Sequence, residues 1–158
     1  MDSLNNAEKL LSLQLNWIAA ADNKVAPIFA INAGMLGVIA ALLPTANKWE
    51  ISTAIFTLLS IIPLVGSIIS LALATFPRLN GPKGSCVFFS GITTRDEDTY
   101  VEEINNISQE SLTNDLLKQV YRNAEIANTK YNFIKWSMRQ SFVSLPLWLI
   151  SVWFLYNL

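Results

Sequence analysis

Charged side chains vanish from three stretches of the chain and crowd into the segments between them. Val25 to Leu43, Ile51 to Phe76 and Ser141 to Leu158 contain no Asp, Glu, Lys or Arg. At about 1.5 Å of rise per helical residue these runs cover roughly 28, 39 and 27 Å, against a hydrocarbon core of about 30 Å. The pattern predicts an all-α membrane protein with transmembrane helices at 25–43, 51–76 and 141–158. The second is long enough to tilt or protrude, and Pro63 with Gly66 should bend it. The third carries Pro146 one turn in. It is read as a span because so small a chain has no soluble core in which to bury it.

The segments between the runs show other periods. In 1–24, Leu4, Ala7, Leu10, Leu11, Leu15 and Ile18 recur at three and four, which predicts an amphipathic N-terminal helix with its stripe interrupted by Gln14 and Trp17 beside it. Pro44 to Glu50 reads as a tight polar turn. Residues 77–140 predict a small, mainly helical domain between the second and third spans. Asn80, Gly81, Pro82 and Gly84 supply turn chemistry, and Cys86 to Phe89 suggests one short strand. Thr99 followed by Glu102 has capping-box spacing for a helix from Tyr100 to Ser108 with Val101, Ile104 and Ile107 inward. A longer helix should begin near Ser111, with Leu112, Leu116, Val120, Ala124, Ala127, Tyr131, Ile134 and Met138 at three and four, and run on into the last span.

Inside the spans, small residues fall at spacing four. Ala26, Ala30 and Gly34 form one row and Ala33, Gly37 and Ala41 another, while Gly66 and Ser70 repeat the spacing in the second span. Such rows let helices approach closely, so Ala30, Ala33, Gly34, Gly37, Gly66 and Ser70 are the expected helix-packing residues, with the second span as partner of the first and Ile39 facing lipid. Asn32 lies near mid-depth, where its amide must bond another helix, backbone or water.

Charge then sets orientation. Lys9, Lys24, Arg78, Lys83, Lys130, Lys135 and Arg139 flank the spans on one side and only Lys48 on the other, so the positive-inside rule places the N-terminus and 77–140 in the cytoplasm. The single cysteine, Cys86, fits a reducing compartment. A net charge of −1 gives no reason to expect a nucleic-acid partner. The chain has no histidine and no Cys/His cluster, so no metal or cofactor is expected. The glycines make no phosphate loop, and no nucleophile has a histidine base, which argues against an enzyme. In 77–140 the eight basic and eight acidic residues are segregated, with an acidic block at Asp96–Asp98, Glu102 and Glu103 and cations along the long helix. Internal pairing explains this simply. If an anion binds, charge type alone points to Arg78, Lys83, Arg122 and Lys130.

Several residues together carry a resemblance: Asp22-Asn23-Lys24, Phe76-Pro77, Phe88-Phe89 with Gly91-Ile92, Tyr100, then Asp115, Gln119, Asn123, Ile126, Lys130 and Tyr131. Their order resembles the Pycsar transmembrane effector family, small bacterial proteins of anti-phage defence. The resemblance implies a homo-oligomer in the lipid bilayer of the inner membrane. It further implies a response to a cyclic pyrimidine mononucleotide, cyclic UMP or cyclic CMP, that impairs membrane integrity. The alternative is a non-enzymatic immunity or toxin-neutralising membrane protein. The roughly sixty residues of 77–140 are too few for a barrel-type nucleotide-binding domain, so any such site must be small or shared between copies.

Overall fold

The computed structural model describes residues 3–45 and 50–157. Residues 46–49, the larger part of the expected polar turn, lie outside the described residues, as do 1, 2 and 158. The described chain is all-helical. Helix α1 covers Ser3–Leu42 and ends in a 3-10 turn, Leu43–Thr45; α2 covers Ile51–Thr75, α3 Phe89–Thr93, α4 Glu97–Asn106 and α5 Gln109–Tyr156. Three of these, α1, α2 and α5, are long and apolar enough to cross a membrane. Each contains a proline, at 27, 63 and 146, and each continues through it. Within lipid-spanning bundles such breaks are tolerated because neighbours and hydroxyl side chains satisfy the freed backbone groups.

Contacts divide the chain into two units, one of residues up to Ala20 with Pro77–Thr129, the other of Ala21–Phe76 with Lys130–Leu158. In the second unit the buried positions recur at three and four along all three helices. From α2 they are Thr53, Thr57, Ser60, Leu64, Ser67, Ser70, Leu71 and Ala74. Met35 and Ile39 of α1, Leu64 of α2 and Leu155 of α5 form one apolar cluster; Ala21, Ala74 and Ile134 form a second. The outward faces carry Ile55, Leu58, Ile62, Ile69, Phe142 and Trp153, all exposed. Large apolar side chains therefore cover the outside and hydroxyls fill much of the inside. This is what lipid-spanning helices do when their surroundings are as apolar as leucine.

In the first unit the inward positions of α1 are Leu4, Ala7, Leu11, Gln14 and Ile18. Gln14, expected to interrupt the stripe, belongs to it, whereas Leu10 and Leu15 are exposed. The period alone cannot choose between two faces that each carry leucines.

The expected strand at Cys86–Phe89 does not form. Bends lead into α3, because the Ser85 hydroxyl accepts the amides of Val87 and Phe88 at 3.1 and 3.0 Å and curls the chain away from an extended path. Helix α4 starts at Glu97, with Asp96 at its cap, so Thr99 lies inside it and no capping box is made. Val101, expected inward, is half exposed. Helix α5 begins two residues before Ser111, since the Ser108 hydroxyl accepts the Ser111 amide at 3.1 Å as an N-cap should.

Candidate functional site

The first unit is built around a loop held against α5. The Asp115 carboxylate accepts the Ser85 hydroxyl at 2.9 Å and the Cys86 amide at 2.8 Å. One turn on, Gln119 Nε2 donates to the same Ser85 hydroxyl at 2.9 Å. Tyr100 of α4 donates its phenol to the Cys86 carbonyl at 3.0 Å. Arg95 closes the loop on itself, giving Nη1 to the carbonyls of Ser85 and Gly91, Nη2 to that of Gly84, and Nε to Glu103 at 2.7 Å. Gly84 takes a positive φ of 73°, open to glycine at no steric cost. At Gly91 a Cβ would collide with the Ser85 carbonyl, so only glycine lets the short helix lie this close.

A groove of about 600 Å³ opens beside this loop, lined by Gly81, Pro82, Asn114, Lys118, Tyr121 and Arg122 among others. Its volume suits a small organic ligand. Tyr121 is 70% exposed, an aromatic face on which a base can stack. Arg122 donates Nε to the Asn80 carbonyl at 2.7 Å and pairs Nη1 with Glu125 at 2.9 Å, which orients the guanidinium while Nη2 stays unengaged among the described residues. Lys118 also borders a smaller pocket of about 180 Å³ that contains Lys83. A third pocket is lined by Glu102 and Glu103 and suits no anion.

The four cations singled out by charge type are thus dispersed. Arg122 lines the groove and Lys83 the pocket beside it, while Arg78 is half-buried in the same unit. Lys130 belongs to the second unit, where its ammonium is paired with Asp22. Lys118 and Tyr121 were not among the expected ligands. Only the one-turn spacing from Lys118 to Arg122, with Tyr121 adjacent, hinted at a shared face.

The small-residue positions separate in the same way. Asn32 of α1 faces α2 and α5, bonding Ser67 at 2.9 Å and accepting the Ser141 hydroxyl at 2.9 Å. Ala30, Gly34 and Gly37 lie on the other side of α1 and are exposed, with Ala33 half-buried. A Cβ at Gly34 or Gly37 would meet nothing within 4 Å, so among the described residues these two glycines touch no partner helix. Ile39, expected in lipid, is buried in the apolar cluster. Gly66 and Ser70 meet α5: Gln140 donates to Ser70 at 3.3 Å and lies where a Cβ of Gly66 would be.

Comparison with known proteins decides the family. The PycTM family, described as a Pycsar effector protein domain, matches residues 6–156. The chain belongs to the Pycsar effector family. It is 29% identical over 129 residues to the Pycsar effector protein SaPycTM of Staphylococcus aureus, covering 80% of either chain. No solved structure matches it. As a Pycsar effector with three membrane-capable helices, it is an inner-membrane effector of anti-phage defence.

Several of the residues that carried the resemblance to the Pycsar effectors meet in two groups, one in each unit. Asp22 pairs with Lys130, and Lys24 lies 4.9 Å from the Tyr131 ring centroid. Tyr100, Asp115 and Gln119 converge on Ser85 and Cys86, with Gly91 against the Ser85 carbonyl.

Proposed function

We propose that this Pycsar effector is a signal-gated membrane effector whose first unit takes a cyclic pyrimidine mononucleotide in the groove of Lys118, Tyr121 and Arg122. Cyclic UMP and cyclic CMP each join one phosphate charge to one planar base. A guanidinium can meet the phosphate with parallel hydrogen bonds while a phenol ring takes the base. The observation that carries this reading is the placement of two cations and an exposed tyrosine on one groove of suitable volume. Binding would favour self-association of the spans through the open row of Ala30, Gly34 and Gly37, and the assembled helices would impair the inner membrane without a catalytic step. The excess of flanking Lys and Arg supports an orientation with the N-terminus and residues 77–140 in the cytoplasm.

The test is titration calorimetry of detergent-purified protein with each nucleotide, beside a membrane-potential dye in cells. Removing one partner of a charge-assisted contact typically costs about 1.5–3 kcal/mol, so Arg122→Ala should weaken binding roughly 10- to 150-fold and raise the nucleotide needed for depolarisation in step. Tyr121→Ala should act in the same direction. Unchanged affinity in both variants would remove the groove as the site. A reporter placed near Gly81 should read cytoplasmic and one fused after Leu158 periplasmic; two cytoplasmic signals would overturn the orientation.

A further inference from the structure

The second unit conceals a polar stripe. Near the start of α2, Thr57 and Ser151 share a hydrogen bond of 2.8 Å. Further along, Ser67 bonds Ser137 at 2.7 Å and Ser141 at 3.0 Å, and Asn32 completes that cluster. Between the two levels on α2 lies Leu64, which packs in one apolar cluster with Met35 and Ile39 of α1 and with Leu155, one turn past Ser151 on α5. No charged side chain lies on the stripe between Thr53 and Ser70 of α2; the nearest ion pair, Asp22 with Lys130, closes the opposite end of the unit.

Stability does not call for this arrangement. Hydrogen bonds between membrane helices contribute little net, because separated helices find other partners, and alanine would pack in nearly the volume of serine. One hydroxyl is also left over. Thr53 Oγ1 is wholly buried, 0% exposed, and has no hydrogen-bond partner among the described residues. A buried oxygen without a partner is costly unless water or an ion can reach it in some state of the protein.

We propose that this inward stripe is the wall of an ion passage, shut in the chain described because α1, α2 and α5 seal it against one another and the Met35–Leu64 cluster keeps it dry. The inference rests on the effector reading above and adds how the membrane is breached. When the signal parts α2 from α5, the Thr57–Ser151 and Ser67–Ser137 bonds exchange their partners for water, a nearly even trade for neutral hydroxyls. The plug then wets, as apolar constrictions do when they widen. A wall of hydroxyls and amides with no ring of charge passes small hydrated ions of either sign and discriminates weakly between them.

The test uses the full-length protein in inside-out membrane vesicles, with cyclic UMP or cyclic CMP added, and single substitutions Thr57→Cys, Ser67→Cys and Ser151→Cys. Lipid-facing Ile62→Cys and Leu149→Cys are controls, and the unchanged chain, which carries Cys86, sets the baseline. A water-soluble cationic thiol reagent should label the three stripe positions at least tenfold faster with nucleotide than without, and the controls no faster. In planar bilayers Ser67→Asp should turn a weakly selective conductance into a cation-preferring one, a change that a packing role for Ser67 would not produce. A nucleotide-dependent leak with unlabelled stripe cysteines overturns the passage and leaves the effector reading standing. Labelling without any leak supports a wet stripe and overturns the effector reading. Neither labelling nor leak overturns both.

Discussion

In the first unit a carboxylate and a guanidinium hold the chain together, Asp115 gripping the Ser85–Cys86 loop and Arg95 gripping three carbonyls and Glu103. In the second unit the links that α2 makes to α1 and α5 are hydroxyl to hydroxyl and amide to hydroxyl, from Thr57–Ser151 to Asn32–Ser67–Ser141. The difference follows from the medium. Beside water, a charged group can be satisfied fully by the loop it organises, and breaking one partner strands the others, so the clamp is strong and specific. Within lipid, a charge costs too much to bury, and neutral hydroxyls hold helices in register while remaining easy to exchange. A unit meant to recognise a ligand gains from the first kind of bonding, and one meant to rearrange gains from the second.

The sharpest way to break this comparison is to delete one partner on each side. Asp115→Ala leaves the Ser85 hydroxyl and the Cys86 amide without their acceptor and should cost about 3 kcal/mol locally. Amide hydrogen exchange should show loss of protection from Gly84 through Thr93 while protection in α2 is kept. Ser67→Ala removes three hydroxyl contacts yet should cost under about 1 kcal/mol by the same readout in α2 and α5, since Ser137, Ser141 and Asn32 can still bond one another or the backbone. Equal losses in the two variants would show that the membrane seam is held as firmly as the clamp.

A second prediction concerns the open face of α1 at Gly34 and Gly37. Gly34→Leu and Gly37→Leu meet open space, so insertion and thermal stability of the single chain should be unchanged. Association in detergent or vesicles should weaken about tenfold, equivalent to roughly 1.4 kcal/mol, while Ile62→Leu on the outward face of α2 leaves it alone. Crosslinking that yields the same oligomers from the variants and the unchanged chain would assign this row to lipid.

What could be read from the amino acids follows the same division. The spans were legible because a run without charge is a local property, and its length against the bilayer needs no knowledge of the fold. Their inward faces were not, because the rule that seeks large apolar residues inside is inverted in lipid. That rule passed over Ser67, Ser137 and Ser151, and taking the small-residue row as the packing face sent Ile39 outward when it is buried. The small-residue row was found, but assigned to α2, since spacing cannot say which of two helix faces a neighbour takes. In the first unit, the groove joins Gly81 to a helix more than thirty residues later, and nothing local to Lys118 or Tyr121 announces that meeting. The Cys86–Phe89 run looked like a strand by composition and was overruled by one serine hydroxyl.

The smallest effect sharpens the comparison at an ion pair inside the second unit. Lys130 and Asp22 are paired, but their side chains are 11% and 45% exposed, so the two ends of the bridge are not equivalent. Lys130→Met removes the cation and leaves a carboxylate that water already solvates, and the new side chain fills the methylene path of the old one. The expected change is under about 0.5 kcal/mol, in the range of exposed ion pairs. Asp22→Ala instead leaves a largely buried ammonium without its acceptor, and should cost about 1 kcal/mol, discounted for the solvent that reaches the pair. Thermal midpoints in detergent should therefore fall further for Asp22→Ala than for Lys130→Met. Raising the salt concentration should shrink the difference, because the exposed carboxylate side is screened. The opposite order would mean that the carboxylate, not the ammonium, is the member of the pair that depends on its partner, and that charge in this unit is held as tightly as at Asp115.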